Sequence, residues 1–325
     1  MSRWTWHGGG LADAKAHFGE GSLPWIDLST GINPHPWSGA GDVPIDWHRL
    51  PDEGALSDLE AAAARYFGAN PANVCAVPGT EIGLRLFGET LTTSHYLVPS
   101  YRTHGEMVHS AVSIPAGAID AGDGQTLILA NPNNPDGRIL SRSTLLDMLD
   151  RRGGSGWLIV DEAFADTNPE ISVAGEVCDD RRLVVFRSFG KFFGLAGLRL
   201  GFMIGSSAEV ARMRKRLGAW PVSAAAIAVG TAAYRDDAWI EAMRRQLRQD
   251  AMQLDAALAR AGFHARGECP LFRLVEVEDA DAIFRHLAGQ SILVRPFDDH
   301  PHWLRLGLPK DVAEMERLEA ALHGG

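Results

Sequence analysis

The sequence is most informative at residues 188–199, which read SFGKFFGLAGLR. They follow the apolar residues 183–186, which are typical of a strand buried on both faces of a sheet. Lys191 and Arg199 then fall in a loop at the carboxyl end of that strand, where α/β sheets bind their ligands. This stretch therefore predicts an α/β fold with a ligand site at one edge of the sheet.

Other short apolar runs, each ending in Gly, Pro or polar residues, extend this prediction to a largely parallel sheet. They cover residues 74–77, 96–98, 126–130, 157–160 and 201–204. Between some of them lie helical patterns. One covers residues 141–152 and ends at Gly153, and another is opened by the capping box of Ser206 and Glu209. Strands that alternate with helices indicate an α/β architecture.

The pattern changes after about residue 225. A long helix is predicted over residues 236–261, ending at Gly262, and shorter strands are predicted over residues 272–275, 292–295 and 303–306. We therefore expect a large domain at residues 35–225 and a smaller α+β domain at residues 226–325. The Gly- and Trp-rich residues 1–34 are expected to form an N-terminal arm.

The composition is that of a globular protein that can bury a large core, since 46% of its 325 residues are apolar and 22% are charged. The net charge of -10 disfavours nucleic acid and anionic membranes as partners. The basic residues 212–216 are expected to form a solvated helix face rather than a phosphate site. Three separated cysteines imply no disulfide framework, and no apolar run suits a signal or a membrane span, so a cytoplasmic location is expected.

Lys191 is the first candidate for chemistry. A lysine attacks an aldehyde only after losing its proton, which burial and nearby cations favour. Most lysines are surface charges, so Lys191 gains weight from Ser188 and Arg199, both of which can donate hydrogen bonds to a phosphate.

Asp161 follows the apolar residues 158–160, so its carboxylate is expected at the end of a buried strand. The alternatives are a helix N-cap and a metal-holding acid of a nucleotide hydrolase. The sequence contains no G-x-x-x-x-G-K-[ST] loop, which removes the hydrolase. Next to a pyridine nitrogen, the Asp161 carboxylate would keep that nitrogen protonated.

Further candidates each have a simpler explanation. Asn134 lies in N-P-D-G, for which a turn is the better explanation on composition alone. Gly79, Thr80 and Glu81 open a predicted helix whose amides suit a phosphate, although helices commonly begin with Gly. Tyr101 suits stacking on a planar ring, but core packing explains a single tyrosine equally well.

Metal and dinucleotide sites are not expected. The twelve histidines show no H-E-x-x-H spacing, and His300 and His302 are interpreted as part of a loop. The glycines of residues 190–197 do not fit G-x-G-x-x-G, so a dinucleotide-binding fold is disfavoured.

Taken together, these residues match what pyridoxal 5'-phosphate requires of a protein. Lys191 supplies an amine for the cofactor's aldehyde, and Asp161 supplies an acid for its pyridine nitrogen. Arg199 supplies a guanidinium for the phosphate, and Asn134 supplies an amide for the ring oxygen. The order and spacing of the set therefore predict pyridoxal 5'-phosphate as the cofactor.

Over nearly its whole length the sequence resembles the fold-type I aminotransferase superfamily. The resemblance implies a large domain with a mainly parallel sheet and a smaller α+β C-terminal domain. It implies that Lys191 carries the cofactor, that Asp161 and Asn134 contact its ring, and that Arg305 binds the substrate carboxylate. The implied phosphate cup consists of Ser188, Arg199 and the amides of Thr80 and Glu81.

The closer resemblance is to the threonine-phosphate decarboxylases of cobalamin biosynthesis, a branch near the histidinol-phosphate aminotransferases. It is carried by HGG at residues 7–9, by LSTGINP at residues 28–34, and by DEAF at residues 161–164 together with residues 191–202. It implies that His7 and Arg295 receive the phosphate of the substrate.

This resemblance implies a cytoplasmic homodimer that converts O-phospho-L-threonine to (R)-1-aminopropan-2-yl phosphate and CO2. The alternatives are a histidinol-phosphate-type aminotransferase and a non-enzymatic cofactor-binding module. Residue types do not reveal which bond at the substrate's α-carbon lies perpendicular to the cofactor ring, so decarboxylation and transamination both stay open at this point.

The sequence departs from its relatives at three positions. Phe164 stands where most aminotransferases have a tyrosine bonded to the ring oxygen, which fits the decarboxylase branch. Ala55 stands where relatives often offer a tyrosine to the partner subunit's phosphate. Gly31 stands where some decarboxylases have an asparagine near the substrate phosphate, so its backbone becomes the candidate contact.

Overall fold

The computed structural model describes Trp4 and residues 7–323, apart from the side chains of residues 121 and 122. Numbered along the chain, the strands are β1 (Ile26–Asp27), β2 (Val74–Val77), β3 (Thr93–Val98), β4 (Ser110–Pro115), β5 (Leu127–Ala130), β6 (Leu158–Asp161), β7 (Leu183–Ser188), β8 (Gly201–Ile204), β9 (Ala265–Arg266), β10 (Phe272–Glu276), β11 (Ile292–Leu293), β12 (Arg295–Pro296) and β13 (Trp303–Gly307).

The α-helices from residue 11 onward are α1 (Leu11–Phe18), α2 (Glu53–Phe67), α3 (Thr80–Gly88), α4 (Thr103–Glu106), α5 (Arg142–Arg151), α6 (Phe189–Phe192), α7 (Ser207–Leu217), α8 (Ala224–Tyr234), α9 (Asp237–Arg260), α10 (Ala280–Gly289) and α11 (Val312–His323). No helix in the described part of the chain is long and apolar enough to cross a membrane.

The chain forms two compact units. The larger unit comprises residues 36–134 and 138–241, and the smaller unit comprises residues 1–35, 135–137 and 242–325. The contacts therefore group the N-terminal stretch with the C-terminal part and divide the chain after residue 241. The sequence predicted domain boundaries at residues 34/35 and 225/226, and these boundaries stay a prediction.

The larger unit is built on a seven-stranded sheet of order β2-β8-β7-β6-β5-β3-β4. Strands β3 to β7 pair in parallel, and β8 runs antiparallel to both β2 and β7. This confirms the predicted α/β fold with a mainly parallel sheet. Every residue of β2, β5, β6, β7 and β8 is buried, which explains why these strands read as continuous apolar runs.

The edge strand β4 was missed by the sequence reading. Its residues are mostly exposed, and only Ile114 is buried. Two serines and the exposed Val112 replace the apolar run that marks the central strands. An edge strand that is solvated in this way carries too little apolar signal to be recognised.

The smaller unit contains an antiparallel sheet of order β12-β13-β10-β9 and a two-stranded parallel sheet of β1 and β11. The single strand predicted at residues 292–295 is wrong, because the chain leaves β11 at Leu293 and pairs with β13 from Arg295 onward. One apolar run therefore serves two sheets. The pairing of β1 with β11 also explains why the N-terminal stretch belongs to this unit.

Two predicted helix starts are confirmed by their N-cap serines. Ser141 accepts a hydrogen bond from the Thr144 amide at 3.1 Å and opens α5. Ser206 accepts from the Glu209 amide at 3.3 Å, but the Glu209 carboxylate pairs with Arg212 at 2.7 Å. The acidic side chain of the predicted capping box is therefore engaged with the next turn of α7.

Candidate active site

The carboxyl edge of the large sheet brings several predicted residues together. Asp161 ends β6 and Ser188 ends the neighbouring strand β7, and both are buried. Because parallel strands end at the same edge, the two side chains belong to one region. Asn134 lies in the turn after β5, which is the strand on the other side of β6. Its neighbour Asn133 fixes that turn by donating to the Pro99 carbonyl at 2.9 Å.

The Asp161 carboxylate is held in one orientation. Its Oδ1 accepts from the Ala163 amide at 3.1 Å, and its Oδ2 lies 3.2 Å from Nε2 of His104. His104 is completely buried in the short helix α4. The sequence reading did not single out His104, although it lies three residues after Tyr101, about one helical turn away. In the tautomer with the proton on Nε2, His104 donates this hydrogen bond to Asp161.

Residues of the predicted phosphate cup lie around the start of α3. This helix begins after Gly79, whose φ of 88° is in the region that favours glycine, and it has no side-chain cap. A Cβ on Gly79 would lie 2.6 Å from Nη2 of Arg199, so glycine lets the guanidinium approach the helix start. Helix amides and a guanidinium that converge in this way suit a dianionic phosphate.

The neighbouring strand β8 also approaches the cup closely. Gly201 pairs with Ser188, and a Cβ on Gly201 would lie 2.7 Å from the Thr80 amide nitrogen. Arg199, two residues earlier, has a φ of 56°, an uncommon conformation for a residue with a side chain. Such a conformation is kept where the surrounding structure imposes it, and it points to a functional constraint. Gly201 therefore lies between Ser188 and the Thr80 amide, and the Arg199 guanidinium lies beside Gly79; the phosphate cup built from these residues stays a prediction.

Lys191 lies in α6, which is anchored by aromatic packing. Phe189 and Phe193 are buried and stack at 4.5 Å between ring centroids, and Phe193 stacks on Trp239 at 5.6 Å. A Cβ on Gly190 would lie 2.6 Å from the Ala196 Cα, so this segment folds closely back on itself. These contacts fix the half-buried lysine within α6, so the loop predicted at this residue is wrong and a single helical turn takes its place.

A buried ion cluster lies directly behind these strand ends. The Arg187 guanidinium donates to Glu162 at 2.9 Å and to Ser172 at 3.1 Å, and it pairs with Asp166. Glu162 follows Asp161, and Arg187 precedes Ser188. Since neighbouring residues of a strand point to opposite faces, the cluster ties β6 and β7 together from the face opposite to their functional residues.

The predicted substrate residues lie in the smaller unit. Arg295 and Arg305 are direct cross-strand partners on β12 and β13. Arg305 is buried, donates from Nη2 to the Ser29 carbonyl at 2.8 Å and lies 5.1 Å from the Phe272 ring centroid. Burial, together with the like charge of Arg295, lowers the pKa of Arg305 to about 9. The smaller unit therefore holds two neighbouring cations that an arriving anion would stabilise.

The glycines of the HGG stretch pack on the chain around Ser29. The Gly9 amide donates to Ser29 Oγ at 2.8 Å, and a Cβ on Gly8 would lie 2.3 Å from the Ser29 carbonyl oxygen. The same carbonyl accepts from Arg305. Gly31, two residues after Ser29, is buried, and His7, the residue before Gly8, is exposed. The HGG stretch and the stretch around Ser29 are both far from Arg305 in the sequence. Ser29 links them to Arg305 in the structure.

The basic residues 212–216 fit the expected solvated helix face. Arg212 pairs with Glu209, Arg214 with Glu60 at 2.6 Å and Arg216 with Glu89 at 3.2 Å. Among the residues that the structure describes, no group of three His, Cys, Asp or Glu side chains could hold a metal ion.

Comparisons with known proteins agree with this geometry. Residues 116–322 match the family model of class I and II aminotransferases. The chain is 40% identical to a threonine-phosphate decarboxylase from a Sinorhizobium species, over 99% of this chain and 98% of that protein. It is 37% identical to a threonine-phosphate decarboxylase from Pseudomonas aeruginosa, over 98% and 97% of the two chains. The chain belongs to the class I and II aminotransferase family, in its threonine-phosphate decarboxylase branch.

The fold of this aminotransferase family member is also found among solved structures. Histidinol-phosphate aminotransferase from Sinorhizobium meliloti, in complex with pyridoxal-5'-phosphate, superimposes with a TM-score of 0.85 at 20% identity. The match covers 97% of this chain and 94% of that one. It confirms the fold-type I architecture that the sequence predicted.

Two of the departures can be located in this aminotransferase family member. The Lys191 Nζ lies 5.8 Å from the ring centroid of Phe164, so the position without a phenol hydroxyl is next to the lysine. Ala55 lies in the wall of a surface cavity of about 490 Å³, together with Asp52 and Leu50. A missing tyrosine at residue 55 therefore coincides with open space.

Proposed function

We propose that the protein is a pyridoxal 5'-phosphate-dependent decarboxylase that converts O-phospho-L-threonine to (R)-1-aminopropan-2-yl phosphate and CO2 in cobalamin biosynthesis. The observation that carries the choice of substrate is the 40% identity to a threonine-phosphate decarboxylase across 99% of the chain. The close approach of Arg199 and of the Thr80 amide to Gly79 and Gly201 supports the cofactor, since a guanidinium and helix-start amides together suit a phosphate. We place the enzyme in the cytoplasm.

The residues of the larger unit would hold the cofactor as follows. Lys191 carries it covalently, Asp161 keeps its pyridine nitrogen protonated and Asn134 donates to its ring oxygen. When bound, the cofactor takes up the electron pair that is released as a bond at the substrate's α-carbon breaks. The remaining cofactor contacts come from Gly79, Thr80, Glu81, Tyr101, Ser188 and Arg199.

The residues of the smaller unit would bind the substrate. Arg305 binds the carboxylate, His7 and Arg295 bind the phosphate, and the Gly31 backbone borders the phosphate position. Two anionic groups on one small molecule call for two cationic receptors, and Arg295 and Arg305 are cross-strand neighbours. By fixing both anions these residues set the torsion about the α-carbon, and so select which of its bonds breaks.

The test is to supply O-phospho-L-threonine with pyridoxal 5'-phosphate and to measure CO2 and aminopropanol phosphate together. We expect equimolar release of both, and much slower turnover of unphosphorylated threonine. Steady turnover of histidinol phosphate with 2-oxoglutarate, without CO2 from phosphothreonine, would instead establish an aminotransferase. Cofactor binding without either reaction would indicate a carrier or regulatory module.

Covalent attachment at Lys191 is tested separately. Borohydride reduction and peptide mapping should place the pyridoxyl group on Lys191, and Lys191→Ala should abolish attachment. A reduced pyridoxyl group on another lysine would refute the assignment.

We also propose that the protein is a homodimer. Trp47, Leu50 and Trp220 expose 72%, 66% and 56% of their surface. Leu50 and Trp220 line two cavities of about 490 and 320 Å³ that share wall residues, Pro51 among them. An apolar surface of this kind marks an interaction site, and a second copy would cover it.

Sedimentation at micromolar concentration should therefore give a dimer, with an interface above the ~1,200 Å² of a specific contact. Leu50→Asp with Trp220→Asp should yield monomers. Val112→Asp, at a 54%-exposed valine on the edge strand β4, is the matched control and should leave the dimer intact. A fully active wild-type monomer would contradict the proposal.

A further inference from the structure

The Glu81 carboxylate is the centre of a hydrogen-bond cluster in the first turn of α3. Its Oε2 accepts from the Tyr101 hydroxyl at 2.8 Å and from the Thr103 hydroxyl at 2.7 Å. Its Oε1 accepts from Arg85 Nε at 2.6 Å, and Arg85 also donates to Glu106 at 2.9 Å. These three donors hold the half-buried carboxylate more firmly than a surface ion pair along a helix would.

Through Tyr101 this cluster reaches the Asp161 carboxylate. The Tyr101 ring packs edge-on against His104, with centroids 5.8 Å apart and planes at 87°. His104 in turn contacts Asp161 at 3.2 Å. The start of α3 and the acid at the end of β6 are thus joined by one line of side chains. Both ends of that line belong to the predicted cofactor site.

The charges within the cluster are fixed. Burial opposes ionisation of Glu81, but the hydrogen bonds from Thr103, Arg85 and Tyr101 hold its pKa below the usual value. Burial and the charge of Glu81 raise the pKa of Tyr101 well above its usual value. Across working pH the tyrosine is therefore a neutral donor and the glutamate an ionised acceptor, so the bond between them persists.

We propose that the Glu81 side chain is a positioning residue that fixes the plane of the Tyr101 ring, and through it the plane of the bound cofactor. A tyrosine ring turns about two torsions, and packing restrains it incompletely at a half-buried position such as this. A hydrogen bond at the far end of the ring removes that freedom. The inference rests on the proposed function and gives the Glu81 carboxylate a role apart from that of its backbone amide.

The experiment compares Tyr101→Phe, Glu81→Leu and the double variant as holoenzymes. Tyr101→Phe keeps the ring and removes only the hydroxyl, and Glu81→Leu removes the acceptor but keeps the amide. The measurements are the induced circular dichroism of the cofactor's visible band and the dissociation constant of pyridoxal 5'-phosphate. Melting of the apoproteins serves as the structural control. Glu106→Gln is the matched control variant, because it alters the Arg85 pairing without touching Tyr101.

We expect each single variant to diminish the dichroic band and to weaken cofactor binding about tenfold, the scale of one hydrogen bond to a charged group. The double variant should be no worse than either single variant, because both remove the same bond. Glu106→Gln should retain the wild-type band.

Wild-type dichroism and affinity in both single variants would overturn the inference and leave the proposed function intact. So would additive effects, since Glu81 would then act independently of Tyr101. A wild-type protein that binds no pyridoxal 5'-phosphate would overturn the proposed function, and the positioning role with it.

Discussion

Arg187 in the larger unit and Arg305 in the smaller unit are both buried arginines on strands, and both lie over a phenylalanine ring. The guanidinium carbon of Arg187 is 4.7 Å from the Phe67 centroid, and that of Arg305 is 5.1 Å from the Phe272 centroid. Their charged neighbours differ. Arg187 faces the carboxylates of Glu162 and Asp166, whereas Arg305 faces the cation Arg295.

These different neighbours shift the pKa values of the two arginines in opposite directions. Burial alone would lower the pKa of Arg187, but Asp166 and Glu162 raise it above the usual range. Burial and Arg295 both lower the pKa of Arg305. Burial by itself therefore does not reveal what an arginine does. Carboxylates beside a buried arginine favour its charged form, whereas a neighbouring cation disfavours it until an anion binds.

The largest expected effect is on the stability of the larger unit. Arg187→Met leaves Glu162 and Asp166 buried without their cation, so we expect a loss of about 3–5 kcal/mol in the free energy of unfolding. Urea denaturation of the apoprotein measures this. Adding Glu162→Gln and Asp166→Asn in the same chain should restore most of the loss. If the single variant is as stable as wild type, the cluster is not structural.

Arg305→Ala should have the opposite profile. Loss of the carboxylate contact should cost on the order of 2–5 kcal/mol of substrate binding, whether or not the amino acid is phosphorylated. The unfolding free energy should change less than in Arg187→Met, because burial and the like charge of Arg295 already disfavour the charged form of Arg305. Steady-state kinetics and denaturation of the same preparation compare the two. Normal kcat/KM for phosphothreonine would remove Arg305 from the site.

Arg295→Ala should act selectively. We expect kcat/KM for phosphothreonine to fall about 10- to 100-fold, while that for threonine and the visible spectrum of the cofactor stay unchanged. His7→Ala should shift the same preference in the same direction. If the preference for phosphothreonine over threonine is unchanged, the phosphate binds elsewhere, and Asn33 or the Gly31 amide becomes the better candidate.

The smallest effect concerns pH. An anion binds the charged form of Arg305, so affinity should be retained below pH 9 and decline as pH rises past the pKa of about 9. An amine-free phosphorylated hydroxy acid is the suitable inhibitor, because neither of its anionic groups titrates there. Its inhibition constant should rise up to tenfold per pH unit above that point. A flat profile to pH 10.5 would show that Arg305 stays charged.

Much of the larger unit could be predicted because its central strands are buried on both faces. Apolar runs marked β2, β5, β6, β7 and β8, and polar residues just after them marked the functional edge. The edge strand β4 carries no such run, since solvent covers most of it. The sequence also did not reveal that residues 292–295 pass from one sheet to another, because they read as one continuous strand.

Residues whose side-chain chemistry the cofactor requires could be picked out from the sequence, whereas residues that hold them in place could not. Lys191, Asp161 and Arg199 stand out by their chemistry and spacing. His104 lies in a polar stretch, and its link to Asp161 depends on how α4 packs. The Arg187 cluster was hidden for a related reason, since a charged residue next to Ser188 looks like any surface arginine until its burial is known.

The reversed direction of β8 has a consequence for how this chain can change in length. Residues 189–200 join β7 to β8 without crossing the sheet, and the pairing of Ser188 with Gly201 closes the segment into a small ring. Closing so short a loop costs little chain entropy, so it can form early and almost independently of distant strands. Both Lys191 and Arg199 lie in this segment. An inserted residue there would separate them, whereas the exposed connection after β4 could lengthen without moving either.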